Sequence, residues 1–462
     1  MRTLLLVLPL LCASVVCSSA CSSSSSSSST PTPEVPGSDG GTTAITGEGG
    51  TVASTCAPVT GAGTTHGTTI SANETWTAAG SPHIVTFSVS VAKDATLTIE
   101  PCAEVRIQGS YGISVEGNLV AQGTANTPIT IVADDATKPW SALQVNAPGT
   151  MSLAYATVSG GGYDNSNAWA AIEARGDQYQ PAQEILKVDH VTVKDSVRYG
   201  VSLRAGGAFT GDSTALTITG SKTAPMRILP RLASNVPVGT YTGNTLDAIV
   251  VETEAYGQIN FGDVTFHDRG VPYRIGGDYS LGDFRVGPGA YKLTVEPGVT
   301  MAFKKAGFLG AMASSPTTGV IIAKGTAAKP IVFTSAEPAP AAGDWQGIQI
   351  GNIASADFAF DYVQIRYAGG YSGASGHHCQ PNPTITGEQS KNDDAALAIY
   401  HQPAKAFLTN SLVSDTAGDA VNLAYTGTYV DFKPTNTFTN VTSCAVTMPL
   451  PTTGLCPAMA CP

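Results

Sequence analysis

Apolar and polar residues alternate over short stretches along most of this chain, as in Thr96-Leu97-Thr98-Ile99 and Ile129-Thr130-Ile131-Val132. Period-two alternation is the signature of a strand with one buried face. Gly, Pro, Asn or Asp interrupts the pattern every few residues, so the strands are short and closely spaced. Beyond the first residues no long stretch carries a helical apolar period. The pattern predicts an all-β protein. Spacing alone fits a sandwich, a barrel or a coil of parallel rungs.

The order of elements, which repeats along the chain, favours the coil. LTIEPCAEVRI (Leu97 to Ile107) is echoed by LTVEPGVTMAF (Leu293 to Phe303). GNLVAQGTANTPITI, from Gly117, is echoed by GVIIAKGTAAKPIVF, from Gly319. Trp140 in KPWSALQV corresponds to Trp345 in GDWQGIQI, and LAYATVSGGGY to FDYVQIRYAGGY. Finally VTVKDSVRYGVSL, from Val191, corresponds to LVSDTAGDAVNL, from Leu412. Several blocks in one order indicate a duplicated module of roughly 190 residues. The expected organisation is a first module over 70–257 and a second over 258–462, with Met226 to Tyr256 as the passage between them.

These blocks resemble right-handed parallel β-helix surface proteins of the pectate-lyase-like superfamily, particularly lipoproteins of Gram-negative, myxobacterium-like bacteria. The resemblance spans about residues 75–455. It implies a solenoid of stacked rungs with inward Ile, Val and Leu ladders. For function it implies surface exposure, with polysaccharide or adhesive roles, in a superfamily that also holds lyases and hydrolases.

The N-terminal sequence carries its own expectation. Arg2 precedes an apolar run from Leu4 to Leu11, the layout of a secretory signal over 1–20. Ser18-Ser19-Ala20-Cys21 reads as a degenerate lipoprotein box with Cys21 as the lipidation site; ordinary secretion is the alternative. A Ser-, Thr-, Gly- and Pro-rich tether is expected over 21–69. Together these place the protein at the outer membrane or cell surface, held by a lipid anchor.

Composition narrows the partners. The formal charge is −11 and charged residues make up 13% of the chain. No basic stripe accompanies the excess of acid, which argues against nucleic acid as a partner. Six cysteines follow Cys21: Cys56, Cys102, Cys379, Cys444, Cys456 and Cys461. In an exported chain they are expected to form disulfides, with the pairing open.

No convergent catalytic set stands out, so no catalytic, cofactor-binding or metal residue is assigned. The expectation is a non-enzymatic polysaccharide-binding, adhesive or structural protein. The alternative is a lyase or hydrolase of the same fold. Hydrolysis needs paired carboxylates. Asp189, Asp195, Asp212, Asp393, Asp394, Asp415 and Asp419 are available, and so is the turn pair Asp134-Asp135. Asp195 and Asp415 hold equivalent positions, where an aspartate capping its own turn is the simpler reading. Lyase chemistry asks for Arg or Lys as base near Ca²⁺ held by acids. Lys194, Arg198 and Arg204 are candidates, replaced by Ser414, Gly418 and Ala424 in the second copy. His377 and His378 beside Cys379 suggest a pinned, solvated loop rather than a metal site. Tyr163, Trp169, Tyr179, Tyr199, Tyr367, Tyr371 and Tyr400 are available for sugar stacking, whereas the matched Trp140 and Trp345 read as packing residues. A groove on one face holding three acids, or acids plus Arg, within reach of each other would favour the enzyme; a plain Thr, Ser and Asn ladder would favour the scaffold.

Overall fold

The computed structural model describes residues 55–163, 170–253, 258–259, 262–277, 280, 282–287, 289–311, 319–351, 356–372, 394–452, 455 and 461–462. Cys21, the signal, most of the tether, Trp169, His377, His378, Cys379, Asp393 and Cys456 lie outside the described residues.

The chain folds as a right-handed parallel β-helix. Every pairing between its named strands is parallel, for instance Val89–Val91 with Ile113–Val115 and Leu143–Asn146 with Ala170–Arg175. Parallel pairing follows from the duplicated pattern. Each strand returns after a full turn to lie beside its predecessor, and the rung buries an apolar face that it cannot cover alone. One 14-stranded sheet runs the whole length, from Thr69–Ile70 to Thr437–Val441. We call it the continuous sheet. Its inward column reads Val89, Ile113, Leu143, Ile172, Val201, Met226, Ile249, Tyr273, Met301, Phe333, Ile365 and Val413 in register. All twelve side chains are buried, each contributing about 1.5–3 kcal/mol of hydrophobic stabilisation for the larger ones.

The two copies are one face out of step. Glu104–Ile107 lies in the other 14-stranded sheet, while its sequence counterpart Thr300–Phe303 lies in the continuous sheet. The change falls within the segment read as a passage. That segment is not a break in the stack: Met226–Ile228 and Ile249–Val251 are successive strands of the continuous sheet. Between them stand the 3-10 helix Pro230–Asn235 and the strand Val238–Thr240. Strands Thr64–His66 and Thr69–Ile70 also begin inside the expected tether, so ordered chain starts earlier than composition indicated.

Corners of the rungs are turned by residues in the left-handed region. Asp195, Tyr367, Asp415 and Asn440 have φ of 55°, 59°, 55° and 51°. Asn and Asp tolerate this conformation because the short polar side chain bonds locally. Disulfides Cys56–Cys102 and Cys444–Cys461 secure the two ends.

Candidate active site

Most residues proposed from sequence have local duties. Asp195 and Asp415 turn equivalent corners, and Asn440 donates to Asp415 at 2.8 Å. That bond first, with Ser414 second, holds the Asp415 carboxyl below its usual range. Asp189 bonds His190 at 2.6 Å, and His190 stacks on Tyr155. Asp212 pairs with Lys187 on the surface. Asp134 accepts from Gln108, and Asp135 is held down to about 2, chiefly by the Thr137 hydroxyl. Asp419 is buried and accepts from the Cys444 N–H, while Asp394 accepts from the Ser372 N–H. Lys194 is the exposed last residue of the strand Thr192–Lys194, whose Val193 is buried. The tryptophans are packing residues, as expected. Trp140 Nε1 donates to the Ser159 carbonyl and Trp345 Nε1 to the equivalent Arg366 carbonyl, both at 2.8 Å.

Charge converges elsewhere, on the outer side of the continuous sheet. Ala170–Arg175, Tyr199–Arg204, Met226–Ile228 and Ile249–Val251 are four consecutive strands. Their inward residues are apolar, so alternation sends Glu173, Arg175, Ser202, Arg204 and Arg227 outward. Register puts Glu173 opposite Ser202, Arg175 opposite Arg204, and Ser202 opposite Arg227. Glu252 follows directly on the fourth strand. The result is a groove of about 330 Å³ lined by Arg175, Gln178, Leu203, Arg204, Ala205, Arg227, Ile228, Leu229, Glu252 and Thr253.

Its ion pairs are closely set. Arg227 Nε bonds Glu252 Oε1 at 3.1 Å, and Arg204 Nη1 lies 3.8 Å from Glu173 Oε2. Glu173 and Glu252 are almost wholly buried. A buried acid of this kind requires a partner, since an unpaired carboxylate there would cost several kcal/mol. Burial lowers the Arg204 pKa; Glu173 opposes the shift, and Arg227 and Arg175 add to it. Both carboxylates are engaged by arginine, and among the described residues no group of three or more His, Cys, Asp or Glu is set to hold a metal. The groove therefore does not fit the acidic ligand set that Ca²⁺ takes.

The second copy is an internal control. Gln144 and Gln349 are counterparts that both sit next to a residue of the following rung: Glu173 in one copy, Ala398 in the other. Ser202 and Asn422 occupy the next rung. By the same register Arg175 corresponds to Tyr400 and Arg204 to Ala424. There Ala395, Ala398, Tyr400 and Ala424 form a buried apolar cluster. The fold closes this position with small apolar residues and a tyrosine, so it does not require the charges of the first copy.

Of the sequence candidates only Arg204 belongs to the groove. Glu173, Arg175, Arg227 and Glu252 went unnoticed, although each is a charge within or directly after an otherwise apolar strand, in AAIEAR, YGVSLR, MRI and VVE. Tyr199 and Tyr400 are buried, whereas Tyr163, Tyr179 and Tyr371 are exposed.

A solenoid of parallel rungs with an arginine-rich groove on one face defines the class of this protein. Residues 267–361 match the model of the family described as "Pectate-lyase like beta helix domain", a segment that follows the groove in sequence. An alginate lyase from Paenibacillus sp. str. FPU-7 aligns at 11% identity over 81% of this chain and 99% of that chain, with a TM-score of 0.16. Similarity that low carries no inference about chemistry. No curated protein matches the chain. The expectation of a non-enzymatic adhesive or structural protein is corrected by the pectate-lyase-like match, and with it the expectation that the protein is not an enzyme. Glu252 lines the groove with three arginines, and Glu173 lies beside Arg204, so acids and arginine come within reach of each other, one of the two arrangements set out from sequence as favouring the enzyme.

Proposed function

We propose that the protein is a polysaccharide lyase that cleaves a uronate-containing polymer in the groove of Arg175, Arg204 and Arg227. The observation that carries this reading is the convergence of Arg175, Arg204, Arg227 and the buried Glu252 in one groove, with the buried Glu173 beside Arg204, where the duplicated copy has Tyr400 for Arg175, Ala424 for Arg204 and Ala398 for Glu173. Guanidinium groups recognise carboxylates in forked geometry, which suits a uronic acid. An excess of cations over acids also suits elimination better than hydrolysis, which works through a carboxylate pair.

In the proposed reaction Arg175 and Arg227 neutralise the uronate carboxylate and so acidify the adjacent C5–H. Arg204 takes that proton. The C5–H electron pair becomes the C4–C5 double bond, the C4–O bond breaks, and the departing oxygen is protonated from water or a nearby donor. Burial first, with Arg227 and Arg175 adding to it and Glu173 opposing it, shifts the Arg204 pKa downward, the direction a base role requires.

The test is purified protein with polygalacturonate and alginate, with and without Ca²⁺, followed by absorbance of the unsaturated product and by reducing ends. Arg204→Ala should lower kcat by about 100-fold or more, the range for removing a general base. Reducing ends without unsaturated product would replace lyase by hydrolase, and absence of both would overturn the reading.

A further inference from the structure

A loop stands beside the groove with an aromatic ring at its tip. Gln178 lines the groove, and the next residue, Tyr179, is 77% exposed, the most exposed large apolar side chain among the described residues. Exposed rings on mobile loops are common, but the backbone of this one is held at several points. Asp177 N–H donates to Gln183 Oε1 at 2.9 Å, closing the loop at its base. Tyr179 N–H donates to Asp177 Oδ1 at 2.9 Å, and Gln180 N–H to the Asp177 carbonyl at 3.1 Å.

Two contacts fix the loop beside the groove. Arg231, buried in the 3-10 helix, donates from Nη1 to the Gln178 carbonyl at 3.1 Å. Gly206, two residues past Arg204, has φ of +96°, and a Cβ there would lie 2.9 Å from the Asp177 carbonyl oxygen. The loop thus packs on backbone next to the proposed base, where only glycine leaves room.

We propose that Tyr179 is a sugar-stacking subsite residue at the rim of the groove, with Arg231 as the positioning residue that holds its loop. The assignment rests on the lyase reading above. Arginines recognise the carboxylate edge of a uronate but not its apolar ring face, and a rigid exposed aromatic supplies the complementary surface. An aromatic contact loses little conformational entropy when its backbone is already fixed.

Wild type, Tyr179→Ala, Tyr179→Trp and Arg231→Met would be compared for KM and kcat on whichever of polygalacturonate and alginate the wild type cleaves. Tyr179→Ala should raise KM roughly threefold to tenfold, the range of one aromatic contact, and leave kcat within about twofold. Tyr179→Trp should keep wild-type KM, because a ring remains. Arg231→Met should raise KM in the same direction, and adding Tyr179→Ala to it should do little more. Melting temperature should not change in Tyr179→Ala, since the ring is exposed. An unchanged KM in Tyr179→Ala beside an active wild type would overturn the subsite and leave the lyase reading standing. A wild type that cleaves neither polymer would overturn both.

Discussion

At the scale of single residues, the first turns of the solenoid hold an arrangement sensitive to acid. His66 and His83 share a hydrogen bond of 3.0 Å between Nε2 and Nδ1, and Trp76 stacks on both rings. A second bond runs from His83 Nε2 to the Thr77 carbonyl at 2.9 Å. That carbonyl can only accept, so His83 Nε2 carries the proton and Nδ1 accepts from His66. Protonating His83 would remove that acceptor. Burial depresses both pKa values; His83 adds to the shift at His66, while Glu74 opposes it at both rings, and the Thr77 bond and Glu100 oppose it at His83. A histidine whose folded pKa is lowered contributes stability that is fully present above the unfolded value of about 6.5. That contribution is lost as pH falls from there through the folded pKa. The denaturant midpoint should therefore drop between pH 7.5 and pH 5.5, and the drop should shrink in His83→Gln. Equal pH dependence in wild type and His83→Gln would show that the pair does not control acid stability.

At the scale of strands, the two copies test whether the groove serves folding or chemistry. Glu173→Ala, Arg175→Tyr and Arg204→Ala together would give the first copy the residues that pack as a buried apolar cluster in the second. Replacing buried ion pairs by apolar groups is often neutral or stabilising, by about 1–4 kcal/mol in favourable cases. The triple variant should keep its urea midpoint or raise it, while forming no unsaturated product. A large loss of stability would instead make these charges structural. The same comparison explains what could be read from sequence. Alternation in Leu97 to Ile107 and the paired Trp140 and Trp345 blocks marked strands and their order, because neighbours in sequence set those features. The groove depends on register across rungs, and register depends on loop lengths. Glu173, Ser202 and Arg227 meet only because intervening segments of 28 and 24 residues each close one turn. Asp195 repeats at Asp415, and that repetition reflects a shared left-handed corner, in line with the turn reading made from sequence. Repetition marked the scaffold, and divergence between copies marked the site.

At the scale of the whole molecule, a solenoid is quasi-one-dimensional, and its ends are where rungs lack a covering neighbour. Both described disulfides lie at those ends, and they close chain segments of different length. Cys56 and Cys102 are separated by 46 residues, Cys444 and Cys461 by 17. In the chain-entropy account a cross-link stabilises by restricting the unfolded chain, giving about 4 kcal/mol for the longer loop and about 3 for the shorter. The location of the N-terminal bond adds a second effect. It ties the segment before the first strand to the corner after Thr96–Ile99, so it also covers the first rungs. Replacing Cys56 and Cys102 by Ala should lower the denaturant midpoint more than replacing Cys444 and Cys461. Hydrogen exchange should then speed up first in Thr64–His66 and Thr69–Ile70, while the amides of Tyr199–Arg204 stay protected because each rung is held mainly by its neighbours. Equal losses from the two pairs would mean that loop length is not what sets their contributions. Uniform loss of protection along the continuous sheet would mean that the stack unfolds as one unit and that its caps govern the groove as well as the ends.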